Sequence, residues 1–176
     1  ADLAVFPECV LTGYCFQDLQ EARAYAQLVP GPFTERLEKK CQEFNIHIIV
    51  GMLEYEGDQG YNTAAFIAPN GLVGHYRKIH LPYLGIDRFL TPGDRPFEVY
   101  DSEVGQVGLN ICYDAAFPES GRVMMLHGAE LIALPTNWPV GAECNTDFVI
   151  NARAFENRVN YIAVNRVGEI RVELEF

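Results

Sequence analysis

Along the chain, apolar runs alternate with stretches in which hydrophobic positions recur with helical periodicity. The β-branched and apolar runs predict strands at 1–8, 46–56, 96–100, 107–112, 130–137 and 161–168. The periodic stretches predict helices at 33–45, 117–129 and 146–160. Strands and helices that alternate in this way are typical of a layered α/β domain.

The segment 61–81 predicts two further strands joined by a tight turn, because Asn70-Gly71 is a strong hairpin signal. The next segment, 82–106, is rich in Gly, Pro and Asp, and we expect it to be mostly loop outside the strand at 96–100. The chain contains no internal repeat, low-complexity tract or linker. We therefore predict a single domain over residues 1–176.

Composition and charge narrow the choice of partners. The formal net charge is -11, which repels a phosphate backbone, so we predict no nucleic-acid partner. No apolar run has the length needed to span a bilayer, and we expect a soluble, cytoplasmic protein without a membrane partner. The five cysteines show no CxxC pairing, which indicates reduced thiols in place of disulfides or a zinc site.

Several predicted strands end in polar residues, and sites in α/β proteins form where strand ends meet loops. These strand-end residues are Glu8, Lys78, Cys112 and Asn137. Cys112 is either a small buried hydrophobe or a nucleophile, and Glu8 either a surface carboxylate or a proton acceptor. Lys78 is either an exposed strand-edge lysine or a fixed cation. His75 and His80 lack a matching carboxylate pattern, so we predict no metal.

Three ordered motifs bear on these alternatives together. They are "FPECVLTGY" at 6–14, "YRKIHLP" at 76–82 and "LNICYDAAFPE" at 109–119. In order and approximate spacing they resemble the nitrilase superfamily of carbon–nitrogen hydrolases. Further similar segments lie at 91–94, 128–139 and 152–168. The resemblance implies an α-β-β-α sandwich, no metal or organic cofactor, and a catalytic triad of Glu8, Lys78 and Cys112.

The resemblance also implies the role of each residue. Glu8 would move protons, Cys112 would form a thioester, and Lys78 with the backbone N–H of Tyr113 would stabilise the oxyanion. Nitrilases usually carry Trp after the nucleophile, whereas the form "CYDxxFPE" resembles amidases and carbamoyl-amidases. We expect hydrolysis of a small linear amide or N-carbamoyl compound with release of ammonia. The alternatives are a nitrilase and a catalytically silent binding domain.

The remaining family features match this sequence less closely. Amidases of the family often place a second glutamate shortly before "TPGD", where Asp87 is the nearest carboxylate; it either takes that role or is tied to its own loop. We expect Tyr14, Asn137 and Trp138 to border the substrate, although Trp138 could equally fill the core. Glu143 would either pair with a substrate amine or stay solvated.

The family resemblance also bears on completeness and assembly. Family domains have a strand and a helix before the first motif and strands after 168, and the segment 169–176 differs from the usual continuation. We therefore expect the chain to be truncated at both ends. Family members commonly form homodimers or larger homo-oligomers by helix packing, and we expect the same here.

Overall fold

The structure, a computed structural model, describes residues 1–168. The segment 169–176, for which the sequence predicts an unusual continuation, lies outside the described residues. The strands are β1 Leu3–Val5, β2 His47–Glu56, β3 Gln59–Ala68, β4 Gly71–Arg77, β5 Val99–Ser102, β6 Gly105–Leu109, β7 Leu131–Pro135 and β8 Asn160–Val164. The α-helices are α1 Leu19–Arg23, α2 Pro32–Phe44, α3 Pro118–Leu126 and α4 Ile150–Asn157.

The strands form two four-stranded sheets with the orders β1-β2-β3-β4 and β5-β6-β7-β8. In the first sheet β1 is parallel to β2, and β2, β3 and β4 are antiparallel to their neighbours. In the second sheet β5 is antiparallel to β6, and β6, β7 and β8 run parallel. The predicted hairpin is confirmed, since β3 and β4 are joined at Pro69-Asn70 with Gly71 opening β4.

The main core lies between the two sheets, where apolar side chains from both inner faces pack together. Ile49, Phe66 and Tyr76 come from the first sheet, and Val107 and Leu109 come from the second. Because one face of each sheet is used in this way, the other face needs a helical cover.

Helix α2 covers the first sheet, and Cys41 on α2 packs with Val50 and Ile67. On the other side, Met124 of α3 packs with Ile132 of β7. The layers therefore follow the order helix, sheet, sheet, helix, and the predicted α-β-β-α sandwich is confirmed.

The local sequence explains where α2 begins and ends. Pro32 occupies its first turn, where the missing N–H costs no helical hydrogen bond. The Thr34 hydroxyl accepts a hydrogen bond from the Gly31 N–H at 2.9 Å. Asn45 ends the helix in the left-handed conformation with φ 50°.

Several predicted boundaries were wrong. The strand predicted at 107–112 ends at Leu109, and Cys112 instead opens a 3₁₀ turn over Cys112–Ala116. The helix predicted at 146–160 begins as a π-helical turn over Asn145–Val149 and ends at Asn157. Helix α1 was not predicted, because five residues are too few to show a clear period. Across residues 1–168, no helix combines the length and apolar character needed to cross a membrane.

Candidate active site

Glu8 lies in the segment that follows β1. Its backbone N–H donates to Thr136 O at 3.2 Å, so this segment bridges the first sheet to the end of β7 in the second. A Cβ atom at Gly51 on β2 would lie 2.6 Å from the Cα atom of Glu8, so only glycine permits this close approach. The Glu8 side chain is completely buried, which excludes the surface carboxylate.

Lys78 follows β4 directly and is also completely buried, which excludes the exposed strand-edge lysine. Its backbone N–H donates to Asn62 O at 2.8 Å and continues the pairing with β3. The ammonium Nζ donates to Glu8 Oε1 at 2.7 Å and also to Asp87 Oδ2. An ammonium has three N–H groups, so one remains for a further acceptor.

Asp87 reaches this cluster from the 3₁₀ turn Gly85–Arg88 and is buried. The Tyr14 hydroxyl donates to Asp87 Oδ2 at 2.7 Å, and the Ile86 N–H donates to Tyr14 O at 2.9 Å. Gly85 has φ 52°, and a Cβ atom there would lie 2.3 Å from the Tyr14 ring. Asp87 and Tyr14 therefore both belong to the Lys78 cluster, and Asp87 is not a loop residue tied only to its own backbone.

Asn62 on β3 is the residue of the cluster that sequence reasoning missed. Its Nδ2 group donates to Glu8 Oε1 at 2.7 Å and to Asp87 Oδ1 at 2.9 Å. The Cys9 thiol donates to Asn62 Oδ1 at 3.6 Å, which fixes the orientation of the amide. The available signal was an amide side chain within the mainly apolar run 61–68.

Cys112 opens its 3₁₀ turn with φ 44°, a left-handed conformation that costs energy for a residue with a side chain. The side chain is 8% exposed and packs in the core between the sheets. The Glu8 carboxylate raises the pKa of its thiol, and the backbone N–H of Asn137 lowers it. The structure therefore brings together the four strand-end residues that the sequence singled out.

Burial and mutual charge set the proton affinities of this cluster. Burial raises the pKa of Glu8, although Lys78 acts in the opposite direction. Burial by itself would lower the pKa of Lys78, but the carboxylates of Glu8 and Asp87 outweigh it and raise that pKa well above its usual value. Burial, with a smaller contribution from Glu8, raises the pKa of Cys112 well above the ordinary thiol range. At neutral pH the resting site therefore holds a thiol, and ionising it requires a base.

One buried carboxylate oxygen of this cluster has no partner. Glu8 Oε1 accepts from both Lys78 and Asn62, whereas the buried Oε2 atom accepts no hydrogen bond from the described residues. Buried polar atoms are rarely left unsatisfied, and an exception of this kind often marks a functional group. The free oxygen belongs to the carboxyl group whose charge raises the pKa of the Cys112 thiol.

The side chains of the other predicted site residues lie outside the buried Lys78 cluster. The Tyr113 side chain is 43% exposed and packs edge-on against Phe117, so only its backbone is a candidate for the site. Trp138 is half-buried against the core cluster that contains Cys112, and its backbone N–H donates to Asn165 Oδ1 at 2.8 Å. Glu143 is exposed and accepts from the Gly141 N–H at 3.0 Å. Over residues 1–168 there is no group of three or more His, Cys, Asp or Glu side chains that could hold a metal.

A model of the carbon-nitrogen hydrolase family matches residues 1–175. The chain belongs to the carbon–nitrogen hydrolase family. This confirms the resemblance drawn from the three sequence motifs.

Relatives from different organisms agree with this assignment. A nitrilase from Pyrococcus abyssi is 40% identical over 172 residues, which cover 97% of this chain and 64% of the relative. The N-carbamoylputrescine amidase of Solanum lycopersicum is 32% identical and covers 93% of this chain and 59% of the relative. The chain thus spans less than two thirds of the length of these relatives.

The fold agrees with a solved structure of the same family. A carbon-nitrogen hydrolase from Helicobacter pylori G27 superimposes with a TM-score of 0.84 at 26% identity, covering 95% of this chain and 62% of that one. The two-sheet arrangement described above is therefore shared with an experimentally determined carbon–nitrogen hydrolase.

Proposed function

We propose that this protein is a cofactor-independent thiol hydrolase of a small linear amide or N-carbamoyl compound. Cys112 is the nucleophile, Glu8 the general base and acid, and Lys78 the fixed cation. The bond cleaved is a non-peptide C–N bond, and ammonia is released. The observation that carries the proposal is the unpaired Oε2 atom of the buried Glu8 carboxyl group, whose charge raises the pKa of the Cys112 thiol.

Acylation begins with transfer of the thiol proton from Cys112 to the Glu8 carboxylate as the sulfur attacks the substrate carbonyl carbon. The raised pKa of Glu8 favours this transfer near neutral pH, since the carboxylate is a stronger base than an exposed one. The carbonyl oxygen becomes an oxyanion, which accepts hydrogen bonds from the remaining N–H of Lys78 and from the backbone N–H of Tyr113. The C–N bond then breaks, and the nitrogen leaves as ammonia after receiving the proton from Glu8.

Deacylation uses the same groups, with water as the nucleophile and Cys112 as the leaving group. Glu8, again a carboxylate, takes a proton from water as the water oxygen attacks the thioester carbon. The C–S bond breaks, the carboxylic acid leaves, and the proton on Glu8 returns to the sulfur of Cys112. Lys78 keeps its positive charge throughout, because its raised pKa lies well above neutral pH. The division into two steps lowers the barrier of each compared with direct hydrolysis.

Asp87 and Asn62 complete this mechanism as supports of the charged pair. Asp87 accepts a second hydrogen bond from Lys78, and Tyr14 fixes the Asp87 carboxylate. Asn62 binds one oxygen of each carboxylate, so Glu8 keeps one defined orientation. In this arrangement Asp87 is the fourth polar residue that borders the reacting nitrogen.

Nitrile hydrolysis is the second candidate, favoured by the Pyrococcus abyssi relative that carries the name nitrilase. The same thiol would attack the nitrile carbon and give a thioimidate, which two waters convert to acid and ammonia. The position after the nucleophile is Tyr113, which favours the amide over the nitrile.

The test is ammonia release from a panel of short aliphatic amides, ω-amides, N-carbamoyl amines and nitriles. Cys112→Ala is compared with the parent and with Cys41→Ala, a matched loss of another buried thiol. We expect at least about a 10⁴-fold loss for Cys112→Ala and retained turnover for Cys41→Ala. Turnover that survives in Cys112→Ala would refute the thiol mechanism, and a panel without any substrate would favour the silent binding domain.

A further inference from the structure

We infer that Asp114 is a positioning residue that locks the turn of Cys112 to the segment of Lys78. The inference rests on the proposed function, because it assigns to Asp114 the geometry between nucleophile and cation. Asp114 does not contact the Lys78 cluster through any described hydrogen bond, and its role differs from that of the triad.

The Asp114 carboxylate is completely buried and fully used as an acceptor. Its Oδ2 atom accepts from the Ile111 N–H at 2.9 Å and from the Tyr76 hydroxyl at 2.9 Å. Its Oδ1 atom accepts from the His80 N–H at 3.1 Å and lies 2.8 Å from His80 Nδ1. A buried carboxylate is costly unless several donors surround it, and here three donate while the His80 ring lies within hydrogen-bond distance.

The donors come from two segments that matter for the proposed chemistry. Ile111 directly precedes Cys112, so one hydrogen bond fixes the entrance to the nucleophile's turn. Tyr76 and His80 lie two residues before and two residues after Lys78. A single carboxylate therefore joins the chain around the thiol to the chain around the ammonium.

The conformation of Cys112 shows why such a connection is needed. With φ 44°, Cys112 adopts a conformation that is rarely favourable for a residue with a side chain and that its surroundings must enforce. The Ile111 N–H is held by Asp114 itself, three residues further on, which closes the turn around Cys112. Loosening this hydrogen bond would let the sulfur move relative to Glu8 and Lys78.

Small displacements of this kind reduce the rate of chemistry more than they reduce substrate binding. A shift of about 1 Å between reacting atoms lowers a rate by roughly 100-fold. A positioning role for Asp114 thus predicts a lower kcat at nearly constant KM. A merely structural role predicts lost stability without a specific loss of kcat.

The test compares Tyr76→Phe with Tyr100→Phe, since each variant loses one hydroxyl that binds within the same part of the sandwich. The Tyr76 hydroxyl donates to Asp114, whereas the Tyr100 hydroxyl donates to the backbone oxygen of His75 at 2.8 Å. We expect Tyr76→Phe to lower kcat by about tenfold with KM within about twofold of the parent. Tyr100→Phe should keep both constants within about twofold at a similar loss of Tm. Equal kcat values in the two variants would overturn the inference.

Asp114→Asn gives a second and stronger arm, because its amide nitrogen cannot accept the hydrogen bonds that one carboxylate oxygen accepts. We expect kcat about 100-fold lower in the folded variant. If this variant does not fold, the tyrosine pair still decides the question. Cys112→Ala separates the two hypotheses. If Cys112→Ala keeps its activity, the proposed function fails. If Cys112→Ala is inactive but Tyr76→Phe and Tyr100→Phe have equal kcat values, only the role of Asp114 is refuted.

Discussion

Arg77 and Lys78 are consecutive residues at the end of β4, and both are cations buried among carboxylates. Arg77 forms ion pairs with Glu54, Glu56 and Asp94, and Lys78 forms ion pairs with Glu8 and Asp87. Successive side chains of a strand point to opposite faces, so the two clusters lie on different sides of the chain. Similar charges in similar numbers are thus placed in two different environments.

The Arg77 cluster is saturated and partly open to solvent. Glu54 Oε2 accepts from Arg77 and from the Thr63 hydroxyl at 2.6 Å, and the guanidinium lies 3.9 Å from the centre of the Tyr61 ring. The side chains of Glu56 and Asp94 are 65% and 60% exposed. Hydrogen bonds to Glu54 raise the pKa of Arg77, which keeps the cluster charged and stable.

The Lys78 cluster is sealed from solvent but not saturated. Lys78 and its two carboxylate partners are completely buried in their side chains, yet Glu8 Oε2 accepts no hydrogen bond from the described residues. The comparison teaches that burial and pairing alone build a structural ion cluster. The unpaired acceptor beside a thiol is what gives the second cluster its proposed chemistry.

The largest expected effects come from replacing one carboxylate in each cluster, by Glu8→Gln and by Glu54→Gln. Glu8→Gln removes the proposed base but keeps the size of the side chain, so we expect activity to fall by about 10³-fold in a folded protein. Glu54→Gln breaks a buried ion pair, so we expect a loss of roughly 3 kcal/mol of unfolding free energy. Ammonia release and chemical denaturation measure the two effects.

The control for this pair is activity per folded molecule. We expect Glu54→Gln to retain most of it, because no side-chain hydrogen bond among residues 1–168 joins the Arg77 cluster to the Lys78 cluster. A folded Glu54→Gln protein as inactive as Glu8→Gln would erase the distinction between the clusters.

The next effect is the pH dependence of turnover. Glu8 must be unprotonated to accept the thiol proton, and burial raises its pKa above the ordinary value of 4.5. The kcat/KM for a neutral amide should therefore rise with pH across an acid limb centred above 4.5, about tenfold per pH unit below its midpoint. Glu54→Gln should leave this limb in place, and a limb at or below the ordinary carboxyl pKa would contradict the assigned base.

A smaller effect is expected from Asp87→Asn and Asp94→Asn, which remove one carboxylate from each cluster. Asp87 binds Lys78, Asn62 and Tyr14, so its loss should lower kcat/KM by about tenfold. Asp94 is an exposed partner at 3.4 Å from Arg77, and its loss should change stability by at most about 0.5 kcal/mol. Similar kinetics for the two variants would place Asp87 outside the working site.

Sequence reasoning singled out the residues of the candidate site because they lie at predicted strand ends within three distinctive motifs. Glu8, Lys78 and Cys112 each allowed an ordinary explanation, and only their common motif context separated them from it. The sandwich fold could likewise be predicted, since alternating strand and helix patterns and the Asn70-Gly71 turn are local signals in the sequence. The predicted homo-oligomer and cytoplasmic location stay predictions.

Other features depend on contacts between distant segments. Asn62 lies in a mainly apolar strand, and its importance appears only when Glu8 and Asp87 contact it from 54 and 25 residues away along the chain. Asp87 could not be assigned because its contact requires the Tyr14 segment to close over Gly85. The strand predicted at 107–112 extended one residue into the 3₁₀ turn of Cys112, since the hydrogen bond from the Ile111 N–H to Asp114 leaves no periodic trace.

The most direct test of the central claim is to identify the atom that carries the acyl group during turnover. The protein is quenched with acid in the presence of a slowly hydrolysed amide, digested and analysed by peptide mass spectrometry. The account predicts one acyl group per chain, on the peptide that contains Cys112, and its absence after the substrate is consumed. Continued ammonia release with no adduct, or with an adduct on a different residue, would contradict the account.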